Sequence, residues 1–109
     1  MLTDDNLKAK LILQGFKGVV VKDGVLKSCK VAPKHAIIPY GIKRLSYGCL
    51  SGQDDLIDVK ISSSCTIIDG APFCNCINLK YIYCNKNLQQ FESVLKCSNN
   101  AEVRYVYTN

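Results

Sequence analysis

Apolar residues recur at one constant offset through the middle of the chain. Ile38 matches Ile61, Ile42 matches Cys65, Leu45 matches Ile68, Leu50 matches Phe73, Leu56 matches Leu79 and Val59 matches Ile82, each pair 23 residues apart. Six coincidences at one offset predict two copies of a single unit laid end to end over residues 38–83. A unit of about 20–29 residues cannot bury its apolar face alone, so units of this length are expected to stack on one another.

Upstream of the repeats the pattern changes. Thr3 or Asp4 suits a helix N-cap, Asp4 and Asp5 sit well at the positive end of a helix, and Leu7 and Leu11 with Ala9, Ile12 and Leu13 supply an apolar face. Gly15 suits the left-handed residue that closes such a helix. Phe16 to Cys29 then reads as a hairpin. Val19-Val20-Val21 is a β-branched run, Lys22-Asp23-Gly24 carries turn chemistry, and Val25-Leu26 begins the return. Lys30 to Lys34, with Pro33, is expected to be a loop.

Within the repeats, Leu56-Ile57-Asp58-Val59-Lys60-Ile61 and Leu79-Lys80-Tyr81-Ile82-Tyr83-Cys84 fit the L-x-x-L-x-L arrangement of a leucine-rich-repeat strand. A looser third unit places Leu88 and Phe91 with Ile42 and Leu45, and Val103 to Tyr107 with the strands, if one extra residue is admitted near Ser98-Asn99-Asn100. The expected fold is therefore an α/β solenoid, a short leucine-rich-repeat domain with an N-terminal capping helix and a β-hairpin. Its parts are one domain over residues 1–109: a helix over 1–15, a hairpin and loop over 16–36, and about three units over 37–109.

These segments resemble the BspA-type leucine-rich repeat family. The residues that carry the likeness are Ile38-Pro39-Tyr40-Gly41-Ile42 through Leu50, then Phe73-Cys74-Asn75-Cys76-Ile77-Asn78-Leu79, with Asp23-Gly24-Val25-Leu26 similar to the segment that precedes that family's first repeat. The resemblance implies a binding scaffold, often part of large secreted or surface proteins, and implies that Cys76 is a core cysteine.

Composition changes the picture in two places. The net charge of +5 is unevenly spread: residues 1–44 hold nine basic and three acidic groups, a balance of +6, and residues 45–109 hold five and six. Solvated lysines explain this, and a polyanion-binding surface is the alternative. Seven cysteines is an odd count, there is no Asn-x-Ser/Thr sequence, no basic leader followed by an apolar run, and no run near the roughly 18 apolar residues of a membrane span. Reduced cysteines, a cytoplasmic location and no membrane association are the expectation.

Strand alternation supplies the functional candidates. If Leu79, Ile82 and Cys84 point inward, Tyr81 and Tyr83 point out, and the third unit is expected to place Tyr105 and Tyr107 beside them. Asp58 and Lys60 hold the same places one unit earlier, and His35 with Ile37 one earlier still. Tyrosine combines stiff apolar area with a polar tip, so a block of four reads as a partner surface; cross-strand stabilisation of the sheet is the plainer reading. Cys74-Asn75-Cys76 lacks the second ligand pair of a zinc site, and Asp54, Asp55 and Asp58 lack the spacing of a calcium loop. His35, the one histidine, stands in no nucleophile motif. No metal, no cofactor and no catalytic residue is expected.

The expected function is a non-enzymatic protein–protein interaction module that binds through its concave face. One form of it is an inhibitor occluding a site on a larger protein, for example a mobile-element inhibitor of a host defence enzyme. The alternatives are nucleic-acid binding through the basic N-terminal part and a fragment of a surface adhesin. A homodimer through the uncapped C-terminal strand is a further expectation.

Overall fold

A computed structural model describes residues 2–97 and 100–106. The helix α1 spans Asp4–Leu13 and starts on a reciprocal cap: the Asn6 N–H donates to the Thr3 hydroxyl at 3.1 Å, and the Thr3 N–H donates to the Asn6 side chain at 3.4 Å. Leu7 and Leu11 are buried, whereas Ala9, Ile12 and Leu13 are exposed, so the buried stripe is narrower than expected. Asp4 faces the next element and accepts the Asp23 and Gly24 N–H groups at 2.7 and 2.9 Å. Those two backbone donors hold its carboxyl below the usual range.

β1 (Val20–Lys22) and β2 (Val25–Ser28) pair antiparallel around Asp23-Gly24. Both turn residues have positive φ, 54° and 74°, the geometry that a two-residue turn between twisted strands needs. From here the chain passes back and forth between two sheets. β3 (His35–Ile38), β5 (Asp58–Ile61) and β7 (Tyr81–Cys84) enter one; β4 (Arg44–Leu45) and β6 (Ile67–Ile68) join the hairpin in the other. A 3-10 helix over Lys86–Phe91 and the short α2 (Glu92–Lys96) then lead to β8 (Glu102–Tyr105). The mixed sheet has the order β1-β2-β4-β6, and the parallel sheet β3-β5-β7-β8.

All twelve residues of the six matched pairs are buried, in one core cluster shared by the two sheets. Three of the pairs are also strand partners: Ile38 with Ile61, Leu45 with Ile68, and Val59 with Ile82. The expected leucine-rich-repeat solenoid is nevertheless corrected. What forms is a small α/β domain of two sheets, one mixed and one parallel, with two α-helices. Strand register is not one repeated step: Val25 and Arg44, partners in the mixed sheet, are 19 residues apart, and Tyr81 and Glu102, partners in the parallel sheet, are 21 apart. Among the described residues no strand of the mixed sheet follows β6; the next element is the 3-10 helix, with Leu88 buried. The radius of gyration, 12.2 Å, is that of a globule, for which about 13 Å is usual near 100 residues. The physical reason is that the flanking segments add strands at spacings of their own, β2 on β4 and β8 on β7, so the 23-residue step is not carried through the molecule.

Polar side chains link neighbouring segments of the chain. Ser62, buried, donates to the Ile38 carbonyl at 2.6 Å, and Gln53 accepts from the Ala32 N–H at 3.0 Å while donating to the Lys30 carbonyl at 3.2 Å. Gln14 does the same for β3: it accepts the Ile37 N–H at 2.8 Å and donates to the Ile37 carbonyl at 2.7 Å.

Candidate interaction face

The outer face of the parallel sheet collects the functional candidates in a grid. Strand register puts His35, Asp58, Tyr81 and Glu102 in one row and Ile37, Lys60, Tyr83 and Arg104 in the next. On β3, β5 and β7, Ile37, Lys60 and Tyr83 lie between two buried neighbours, and His35, Asp58 and Tyr81 open their strands just before a buried one, since a strand turns alternate side chains to opposite faces. Along β8 the alternation continues, with Glu102 and Arg104 exposed and Val103 and Tyr105 half-buried against the core.

Contacts tie the grid together. The rings of Tyr81 and Tyr83 stack with centroids 6.0 Å apart and planes 30° apart. The Arg104 guanidinium lies over the Tyr81 ring, 4.4 Å from its centroid, and its Nε donates to Glu102. The Glu102 carboxylate raises the pKa of Arg104. At the other end His35 Nδ1 and Asp58 Oδ2 are 2.8 Å apart. Beside that pair lies a hollow of about 370 Å³ lined by His35, Ile37, Asp58, Lys60, Tyr83 and Val106. Ile37 and Val106 leave 49% and 36% of their surface in water, so this hollow offers apolar area inside a charged rim.

Of the expected site residues, Tyr81, Tyr83, Asp58, Lys60 and His35 share this face. Tyr105 does not. It pairs in register with Cys84, turns inward, and donates its hydroxyl hydrogen to Glu92. Burial first, and that hydrogen bond second, push its pKa well above the ordinary phenol value. Tyr107 lies outside the described residues. The expected two-by-two tyrosine block is thus corrected to a Tyr81–Tyr83 pair completed by Arg104 and Glu102. The reason is a register three residues away from the expected one: aligning Tyr105 with Tyr81 sets them 24 apart, and the strands pair at 21. An odd shift moves every side chain to the other face. The alternation of Ala101, Val103 and Tyr105 with Glu102 and Arg104 is the signal that points to the correct face.

Four of the seven cysteines belong to the interior, and Cys97 is exposed. Cys49, Cys65, Cys76 and Cys84 are buried, and Cys29 is half-buried. Burial pushes the thiols up, to about 11 for Cys29 and Cys84 and about 12 for Cys65. Cys76 donates to the Leu50 carbonyl at 3.0 Å, as a core thiol does. Asp54 and Asp55 join no group of three or more candidate metal ligands among the described residues. The basic residues Lys22, Lys27 and Arg44 lie on the mixed sheet, away from the tyrosines, with Arg44 held by Asp69 at 2.7 and 2.9 Å. No described helix is long and apolar enough to cross a membrane. No family model, curated protein or solved structure matches the chain, so the likeness to the BspA-type family stands on the quoted residues alone.

Proposed function

We propose that this chain is a non-enzymatic protein-binding module working in the cytoplasm, and that the outer face of its parallel sheet is the partner surface. The observation that carries this reading is the stacked Tyr81–Tyr83 pair with Arg104 over Tyr81. Tyrosine and arginine are the residues most often found as interface anchors, and here they are held in place by one another before any partner arrives. The neighbouring hollow over Ile37 accepts an apolar side chain of the partner, and His35, Asp58, Lys60 and Glu102 form a polar rim of both signs. Binding there acts by covering a site on the partner, as an inhibitor does.

The test is affinity capture from lysate of the native host, with wild type beside a Tyr81→Ser/Tyr83→Ser/Arg104→Ala variant whose fold is checked by circular dichroism. The reading expects a protein retained by wild type and lost with the folded variant. Equal capture by both sinks it. Nucleic-acid binding through the basic mixed-sheet face is separated by salt: affinity for nucleic acid falls steeply as salt rises, whereas an apolar aromatic contact holds.

A further inference from the structure

The two edges of the parallel sheet are treated differently. At the β3 edge, the Gln14 amide occupies both the N–H and the carbonyl of Ile37, which blocks a further strand from adding there. At the β8 edge the described residues supply no such cover. The N–H groups of Glu102 and Val106 point inward to the carbonyls of Lys80 and Cys84, both at 2.8 Å. By strand alternation, Val103 and Tyr105 turn their N–H and carbonyl groups away from β7, toward the open side.

We propose that β8 pairs with β8 of a second copy of this chain, antiparallel, with Val103 on the twofold axis, so that two four-stranded sheets become one of eight strands. Three observations select this occupant and register. Antiparallel pairing about Val103 is a hydrogen-bonded position, because its backbone groups face the open side, and it brings Tyr105 opposite Ala101 of the second copy with the same parity. It also sets Glu102 opposite Arg104 of the second copy, and Arg104 opposite Glu102, so both charges on the edge find opposites across the axis. Pairing about Arg104 instead places that residue against itself. Finally, Val103 and Tyr105 are only half-buried, so the core reaches this edge without being closed, and a second copy covers it. Arg104 keeps its face on Tyr81 and its Nε–H on Glu102 of its own chain, while its terminal N–H groups serve the carboxylate across the axis.

The pairing does not depend on the partner surface proposed above, although it joins the two Tyr81–Tyr83 patches into one face. A symmetric edge contact of this kind is isologous and closed, so it stops at the dimer.

Sedimentation velocity over a concentration series into hundreds of micromolar tests it. Wild type is expected to show concentration-dependent monomer–dimer exchange. Val103→Pro removes one outward N–H and leaves the bonds to β7, and is expected to be monomeric. Arg104→Glu and Glu102→Arg each set like charges across the axis and are expected to weaken self-association by at least about tenfold. Mixed together, these two variants are expected to form a heterodimer, because each then meets its opposite. The mixing experiment compares two chains with each other, so it decides the matter even if the proline variant fails to fold. Wild type that stays monomeric overturns the proposal, as does a mixture that associates no better than either variant alone. Association of wild type only in the presence of an added peptide overturns it in favour of a heterologous strand.

Discussion

Arg104 and Tyr81 sit on adjacent strands, offset by one diagonal step of the ladder, with the guanidinium 4.4 Å from the ring centroid. The step brings a long cationic side chain across to an aromatic face, and Tyr83 packs against the same ring at 6.0 Å. The three residues are expected to behave as a unit. A double-mutant cycle with Arg104→Met and Tyr81→Leu, read by urea unfolding, should give a double variant less destabilised than the sum of the singles. Strict additivity would show that the contact carries no energy.

Tyr105 is expected to matter for folding and not for partner binding. Its hydroxyl donates to Glu92, which anchors α2 to β8. Tyr105→Phe should lower stability by about 1 kcal/mol, the net worth of one hydrogen bond, with the unfolding slope unchanged. Partner capture should be the same as for wild type. A loss of capture at full folding would return Tyr105 to the binding face.

Much of the local structure was legible, and the assembly was not. Thr3, Leu7 and Leu11 mark a capped helix, and Asp23-Gly24 marks a primed turn, because each depends on neighbours a few residues away. The matched apolar positions mark the core for the same reason: burial repeats wherever the strand pattern repeats. The β8 register was misjudged because it depends on how many residues the 3-10 helix and α2 consume, which is a property of their packing. That packing moved Glu102 and Arg104 onto the face and took Tyr105 off it. It also ended the mixed sheet at β6, which no count of apolar residues foretells. Nothing in the sequence marks Gln14, because its bonds to Ile37 exist only once α1 is set against β3.

Stability is expected to fall at alkaline pH. The thiols of Cys29, Cys65 and Cys84 have folded-state values of about 11, about 12 and about 11, against 9.0 for an unperturbed thiol, because burial disfavours the thiolate. Between those values the unfolded chain has lost protons that the folded chain still holds, so unfolding gains with rising pH. The stabilisation is complete below about pH 9 and is lost progressively toward about pH 11 to 12. Urea midpoints across that range should decline, and Cys84→Ala, although less stable at neutral pH, should decline less. A flat profile would show that the thiols are not held in an apolar interior.

The last expectation concerns Gln14, whose side chain closes the β3 edge of the sheet, opposite β8. Gln14→Ala removes two hydrogen bonds, to the N–H and the carbonyl of Ile37, at 2.8 and 2.7 Å. Because this edge is within reach of water, the freed groups are partly resolvated, and the cost should be about 1 kcal/mol and not the full price of a buried pair. The larger consequence is for association. Ile37 then presents an unpaired N–H and carbonyl beside its own exposed side chain, the combination that invites a strand from another molecule. Hydrogen exchange at the Ile37 amide should quicken, and light scattering should show species larger than a dimer, since each copy now carries two open edges. Gln14→Ala chains that remain no larger than wild type would mean that the amide closes nothing, and that α1 alone guards this side of the sheet.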